Sequence, residues 1–166
     1  MDKEIIMPYF PYGIRVAADD NNKESFMIKE LHCKFVRVED DWNNSFTIPY
    51  SSEMYKIILH PITAEHLSKP LRVNKQTMIV SDYLCEIVYE NIKDLIPSND
   101  SDWLIDLIVS YFNDRTICPF SKKIMSKIYS VLYALHFDMF GYIDQGKARN
   151  ICEMDYNSYE YDTILL

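Results

Sequence analysis

Glycine is scarce in this sequence, with 3 glycines among 166 residues against 13 tyrosines. So few glycines argue against loop-rich architectures that cradle phosphate groups, and the GxGxxG, GxxxxGK and GxSxG motifs are absent. The abundance of tyrosine has two explanations. An AT-rich genome enriches tyrosine, isoleucine, asparagine and lysine together, whereas a tyrosine-rich surface favours protein contacts because each side chain joins an apolar ring to a polar tip.

Long apolar runs are also missing, and no stretch approaches the roughly 20 residues of a membrane-spanning helix. The first residues, MDKEIIMPYF, do not have the composition of a signal peptide. We therefore expect a cytoplasmic protein whose 4 cysteines stay reduced. No CxxC pair occurs, and the 4 histidines lack the short spacing typical of a zinc site, so we expect no metal ion and no other cofactor.

Basic residues are too few for a typical nucleic-acid-binding protein. The formal net charge is −8, whereas a generic DNA- or RNA-binding domain is basic. Residues 1–80 carry 10 basic and 11 acidic side chains, and residues 81–166 carry 7 basic and 14 acidic. We therefore expect no direct binding to nucleic acid or to a membrane, and the second half of the chain holds nearly all of the acidic excess.

Short β-strands are predicted between residues 8 and 62. Alternating and β-branched residues favour strands in four places, namely 13–17, within 25–38, 46–50 and 55–59. Turn-forming residues separate them at 19–22 and 39–44. This pattern predicts a small antiparallel sheet or a partial barrel, followed by a proline-containing connector over residues 60–74.

From residue 77 onward the hydrophobic period becomes helical, because apolar residues recur at spacings of three and four. We predict three helices, at 77–96, 101–113 and 119–138. The second helix is expected to bury Trp103, and Gly141 is expected to end the third.

The fold class that follows is α+β, with an N-terminal antiparallel sheet or partial barrel and a three-helix C-terminal part. Residues 1–75 form the mainly β part, and residues 76–150 form the helical part. Residues 151–166 form an acidic, tyrosine-rich tail. We expect these parts to make one compact unit.

An acidic stripe runs along the first predicted helix. Its members, spaced by four residues, are Asp82, Glu86, Glu90 and Asp94. A helix places these carboxylates on one face, about 6 Å apart. Like charges at this spacing mildly destabilise a helix, and acids near its C-terminal end oppose the helix dipole, so helix stability does not explain the stripe. The next helix adds Asp102 and Asp106, and we call all six residues the acidic surface.

Two interpretations of the acidic surface stay open. The first is a solvated face that keeps the protein soluble. The second is a docking surface for a basic partner, in which carboxylates spaced like backbone phosphates compete for a nucleic-acid-binding groove. A basic cluster follows in the sequence and contains Arg115, Lys122, Lys123 and Lys127. These cations would instead neutralise the stripe within the molecule if they lay beside it.

His136 and Asp138 lie close together in the segment YALHFDMF. They suit either a general base with its orienting carboxylate or a pair of metal ligands, but apolar neighbours favour local packing at a helix end. We predict that His136 is buried there and hydrogen-bonded within the fold. An enzyme that uses this pair with a cysteine is the alternative, although no cysteine is marked as activated, and we assign no catalytic residue.

The segment at residues 132–148, LYALHFDMFGYIDQGKA, is similar to a C-terminal signature of small bacteriophage and prophage proteins. In that signature HFD precedes a hydrophobic residue, FG, a second hydrophobic residue and isoleucine. PYG at 11–13 and LHPI at 59–62 resemble further elements of the same proteins. Lys147 departs from the pattern, which has an aliphatic residue there. The resemblance implies a phage origin and brings no activity and no functional residues with it.

The sequence as a whole favours a non-enzymatic interaction protein. The expected role is a phage-encoded inhibitor of a host nucleic-acid-handling or defence system, acting through the acidic surface on a basic host protein. The nearest alternatives are an enzyme built on His136 and Asp138, and a virion or assembly component that oligomerises through tyrosine-rich surfaces.

Overall fold

The computed structural model describes residues 1–18, 20, 23–73, 76–92, 101–114 and 120–154. Within this part the chain forms two compact units. The first comprises residues 1–61 and 133–154, and the second comprises residues 62–132. Strands dominate the first unit and helices dominate the second, which confirms the predicted α+β class.

A six-stranded sheet forms the first unit, and a separate hairpin belongs to the second. The strands in chain order are β1 (Arg15–Ala18), β2 (Phe26–Leu31), β3 (Phe35–Glu39), β4 (Ser45–Pro49), β5 (Tyr55–Leu59), β6 (Pro70–Val73), β7 (Gln76–Ile79) and β8 (Ala148–Asn150). The large sheet has the order β4-β3-β2-β1-β5-β8, and β6 pairs with β7. Among the pairs of named strands only β5 and β8 run parallel, and an isolated parallel bridge joins His60 to Phe137. The predicted antiparallel sheet is confirmed, and it is not a closed barrel.

Alternation of side chains places one face of the sheet in the core. On β3, Val36 and Val38 are buried while Arg37 is exposed, as a period of two requires. The short helix α1 (Lys3–Ile6) closes this core with Ile5 and Ile6. The buried cluster of the first unit contains Ile5, Ile6, Tyr9, Ile14, Val16, Ile28, Val36, Val38, Ile48, Ile57, Leu59 and Ala148.

Four helices and the β6–β7 hairpin form the second unit. The helices are α2 (Ala64–Leu67), α3 (Val80–Ile92), α4 (Ser101–Asp114) and α5 (Lys122–Ala134). Apolar residues at spacings of three and four are buried on each long helix, for example Leu84 and Val88 on α3 and Ile128 and Val131 on α5. The three predicted long helices are therefore present.

The connector predicted at 60–74 contains both α2 and β6, so that prediction is wrong. The first long helix also starts later than predicted, at Val80 rather than residue 77, because residues 76–79 pair with β6. Elements of four residues are too short to show a hydrophobic period. Residues 93–96, the predicted end of this helix, lie outside the described residues.

The third long helix ends at Ala134, four residues before the predicted end and well before Gly141. The chain turns at His136, whose φ of 56° lies in the left-handed region that a non-glycine residue rarely adopts. Two hydrogen bonds hold this turn: the amide of His60 donates to the carbonyl of His136, and the amide of Asp138 donates to the carbonyl of His60, both at 2.8 Å. Long-range pairing therefore ends the helix, and Gly141 lies in the loop beyond.

The division of the chain also differs from the expected parts at 1–75 and 76–150. The chain leaves the first unit after Pro61 and re-enters it at Tyr133, because β8 pairs with β5 from the far end of the chain. In the expected tail, Ile151–Glu153 form a 3-10 turn. Residues 155–166 lie outside the described residues.

Candidate interaction surface

Helix α3 presents its carboxylates to solvent. Its buried face is apolar and contains Val80, Leu84, Ile87 and Val88. Asp82, Glu86 and Glu90 are exposed, as the spacing of four predicts. Within the described helix Val80–Ile92, the last turn has no basic residue to balance Glu90 against the helix dipole, and Lys93, the next residue, lies outside the described residues. Asp94, the fourth member of the acidic stripe, lies outside the described residues.

Helix α4 carries the other two members of the acidic surface, Asp102 and Asp106, both exposed, and its last residue, Asp114, is a further exposed aspartate. Asp102 lies in the first turn, where the helix dipole stabilises an anion, so local stability alone explains its presence. Asp106 lies one turn later and has no such explanation. The buried face of this helix is apolar and contains Leu104, Ile105, Ile108 and Phe112.

Trp103 was expected to be buried, but 50% of its surface is exposed. The next two residues of α4, Leu104 and Ile105, are buried. Because the helix turns by about 100° per residue, Trp103 falls on the exposed side of α4. Trp103 therefore lies at the solvent side between Asp102 and Asp106. Tryptophan is enriched at protein-binding surfaces and among the residues that contribute most to binding.

No ion pair neutralises the acidic surface within the described residues. The described salt bridges all lie elsewhere, such as Lys69 with Glu65 at 2.8 Å. Lys122, Lys123 and Lys127 of the basic cluster are exposed, and Arg115 lies outside the described residues. Among the described residues, the basic cluster therefore does not pair with the stripe.

The thiol of Cys85 on α3 is influenced by carboxylates of both α3 and α4. Burial raises the pKa of its thiol, and the charges of Asp82 and then Asp102 raise it further. A raised pKa keeps the thiol protonated and weakly nucleophilic at neutral pH. The first turns of α3 and α4 are therefore close enough for carboxylates from both helices to act on one side chain.

A groove of about 340 Å³ lies between α3 and α5. Helix α3 lines it with Tyr83, Glu86, Ile87 and Glu90, and α5 lines it with Ser126, Lys127, Ser130 and Val131. Ile87 and Val131 are buried, so they provide its apolar part. Lys127 shares the groove with the two glutamates without forming a described ion pair with either. The groove thus joins half of the acidic stripe to a single cation on the opposite helix.

The sequence did not reveal this groove. Glu86 and Glu90 recur at a spacing of four, and so do Ser126 and Ser130, which indicates only that each pair shares a helix face. Which two faces meet depends on tertiary packing, and a hydrophobic period cannot supply that information.

The segment of His136, Phe137 and Asp138 lies inside the first unit. His136 has 1% exposed surface, which confirms its predicted burial. Its backbone amide donates to the carbonyl of Tyr133 at 3.1 Å. This main-chain bond does not test the hydrogen bonding that was predicted for the imidazole ring. Burial first, and the charge of His60 second, lower the pKa of His136 to about 3, while a hydrogen bond with the backbone of Tyr12 acts in the opposite direction.

The carboxylate of Asp138 organises the loop that follows. It accepts hydrogen bonds from the amides of Tyr142 at 2.8 Å and Ile143 at 2.7 Å, with a longer one of 3.4 Å from Phe140. Phe137 stacks on His60 with ring centroids 5.2 Å apart, and its carbonyl accepts from the hydroxyl of Tyr9 at 3.1 Å. The carboxylate is therefore engaged with backbone amides, an arrangement that stabilises a loop.

A second cavity, of about 720 Å³, lies in the first unit. Its charged lining residues are Asp2, Lys3, Glu53, Lys56 and Lys147. The ammonium of Lys147, the residue that departs from the phage signature, lies 5.9 Å from the centroid of the Tyr142 ring. Three lysines and two acids line this cavity, so charges of both signs face it.

In the part of the chain that the structure describes, His66 and His32 contact residues close to them in the sequence. His66 contacts its helix-capping neighbour Thr63 at 2.7 Å, and His32 contacts Glu30 at 3.0 Å. These residues contain no group of three or more histidines, cysteines and acids that could hold a metal ion. Cys33, Cys85 and Cys152 form no described disulfide, and Cys118 lies outside the described residues. None of the described helices is long and apolar enough to cross a bilayer.

Comparison with protein-family models, with curated proteins and with solved structures finds no match for this chain. The candidate site consequently depends on geometry and charge. On those grounds the acidic surface of α3 and α4, with its groove, is the strongest candidate.

Proposed function

We propose that this chain is a non-enzymatic, phage-encoded interaction protein that inhibits a basic protein of the bacterial host. Its target is a nucleic-acid-handling or defence protein in the host cytoplasm. The acidic surface docks into the groove where that protein holds nucleic acid, with carboxylates in the place of phosphates. The observation that carries this proposal is a set of five exposed carboxylates on two neighbouring helices without a described ion pair.

The cost of this arrangement supports a binding role. Glu86 and Glu90 repel each other at a spacing of four, by a few tenths of a kcal/mol, and Glu90 also opposes the dipole of α3. A local conflict of this kind is typical of functional positions rather than of positions selected for stability. A basic partner would reduce the repulsion between these carboxylates on binding, and this would increase the affinity of the complex.

The phage origin is supported by the resemblance of residues 132–148 to the phage signature. Asp138 and His136, the polar residues of that signature, have contacts that stabilise the first unit. A signature that maintains a fold fits a protein whose function resides on a different surface.

A capture experiment tests this proposal. The protein is immobilised and exposed to bacterial lysate, and bound proteins are identified by mass spectrometry. A surface variant neutralises the five described acids as Asp82→Asn, Glu86→Gln, Glu90→Gln, Asp102→Asn and Asp106→Asn.

A matched control variant neutralises five exposed acids elsewhere, namely Glu4, Asp20, Glu53, Asp144 and Glu153. Both variants change the formal net charge from −8 to −3, since each removes five negative charges. We expect a basic host protein to be captured by the unmodified chain and by the control, and to be lost with the surface variant. Equal loss with both variants would show that net charge alone attracts the protein, and would contradict a defined docking surface.

A further inference from the structure

We propose that the groove between α3 and α5 is the arginine-binding centre of the acidic surface, into which an arginine side chain of the partner inserts. This inference rests on the proposed function, since it specifies the group on the basic partner that the surface recognises. It assigns the recognition step to Glu86 and Glu90 and leaves a long-range role to the acids of α4.

The size of the groove fits a side chain better than a helix. Its volume of about 340 Å³ lies near the lower end of ligand pockets, which span roughly 300–1,000 Å³. The half-buried Tyr83 lines the groove beside the buried Ile87 and Val131, and its ring offers the accessible apolar contact. An arginine has an aliphatic stem that packs on such residues while its charged end stays near the rim.

The charges of the α3 wall favour arginine over lysine. Glu86 and Glu90 project from successive turns, with Cβ atoms about 5–6 Å apart. A guanidinium is planar and has five donors, so it can pair with two carboxylates at once, whereas a lysine ammonium acts as a point charge. Two acids one turn apart beside an apolar surface therefore suit a guanidinium with its stem.

Lys127 on the opposite wall opposes an incoming cation. It lines the same groove, is exposed and has no described ion pair, so its charge adds repulsion at the site. Removing this charge should strengthen binding, whereas removing the charges of Glu86 and Glu90 should weaken it. A site at this groove thus predicts effects of opposite sign from residues on its two walls.

The test uses a fluorescein-labelled peptide of arginine–leucine repeats as the probe, and a peptide of lysine–leucine repeats as its counterpart. Binding is measured by fluorescence anisotropy at low salt. The groove variant is Glu86→Gln with Glu90→Gln. Its matched control, with equal charge change on the neighbouring helix, is Asp102→Asn with Asp106→Asn.

Two further variants separate shape from charge. Ser126→Leu with Ser130→Leu fills the groove without changing the net charge, and both serines are exposed on α5, so the helix should be retained. Lys127→Gln removes the opposing cation. Thermal unfolding of each variant confirms that the fold is intact.

We expect the groove variant to lose about tenfold or more in affinity for the arginine peptide, since a charge-assisted pair is worth about that factor. The serine variant should lose a similar factor, because its leucines occupy the space that the arginine side chain needs. The α4 control should lose less than about threefold, and Lys127→Gln should gain a few-fold. The lysine peptide should bind more weakly than the arginine peptide.

Equal losses of affinity in the groove variant and the α4 control, with no loss in the serine variant, would overturn binding in the groove. The acidic surface would then act only as a diffuse attractive field. Equal binding of both peptides would overturn the preference for arginine. Failure of the arginine peptide to bind the unmodified chain would overturn the inference while capture of a basic host protein still supported the proposed function. Loss of that capture in the five-site control as well would remove the proposed function itself.

Discussion

At the scale of single residues, His136 contributes to stability by filling the first unit with an uncharged ring. It is fully enclosed, and its left-handed backbone is fixed by pairing with His60. His136→Ala should lower the free energy of unfolding by about 2–4 kcal/mol, as other large buried truncations do. Urea denaturation measures this change. His32→Ala, at a half-buried position, is the control and should cost less than about 1 kcal/mol.

Asp138 contributes through its charge rather than its volume. Asp138→Asn keeps the shape but replaces one accepting oxygen with an amide donor that faces backbone amides of the loop. We expect a loss of about 2 kcal/mol in stability, because charge-assisted hydrogen bonds are lost and a donor meets a donor. Asp144→Asn, exposed in the same loop, should stay within about 0.5 kcal/mol of the unmodified chain. If Asp138→Asn and Asp144→Asn both changed the stability only slightly, the carboxylate of Asp138 would not stabilise the loop.

At the scale of elements, α3 should tolerate the loss of its described acids. Replacing Asp82, Glu86 and Glu90 with Asn or Gln removes repulsion at spacings of four and an anion at the unfavourable end of the helix, and these gains offset the loss of the favourable charge of Asp82 in the first turn. The melting temperature should therefore stay the same or rise slightly. Differential scanning calorimetry measures it. A marked fall would mean that the carboxylates are paired inside the structure, and would contradict both the solvated and the docking interpretation.

The long elements were predictable from sequence because each repeats its apolar residues over several turns. Helix α4, for example, was expected at 101–113 and is observed at Ser101–Asp114. Short elements gave no such signal, and β8 has three residues whose partner strand lies about ninety positions earlier. The stripe on α3 followed directly from helical spacing. The exposure of Trp103 and the place of Ser126 and Ser130 in the groove could not be predicted from helical spacing, because both depend on which helix faces meet.

At the scale of the whole molecule, acid should destabilise the fold. The pKa of His136 is lowered to about 3, so below the ordinary histidine value near 6.5 the unfolded chain binds a proton that the folded chain does not. Stability therefore rises with pH across this window, and it is lost as pH falls from about 6.5 towards about 3, by at most about 1.4 kcal/mol per pH unit from this group. Urea unfolding at several pH values measures the slope. His136→Ala should reduce it, and an unchanged slope would contradict the assignment.

The charge distribution of the whole chain also determines how it meets a partner. Its formal net charge of −8 attracts any basic protein, and the acidic surface adds a directed field at one region. A directed field raises the association rate and is screened by salt, since the screening length is about 8 Å at physiological ionic strength. A general attraction would act equally through acids anywhere on the molecule.

The most direct measurement of the central claim is therefore the association rate between this chain and the protein that the capture experiment identifies, followed across salt concentration. We expect the rate of the unmodified chain and of the five-site control to fall steeply with salt. The surface variant should associate slowly at low salt and depend only weakly on salt. A surface variant that associates as fast as the control, with the same salt dependence, would contradict docking through α3 and α4.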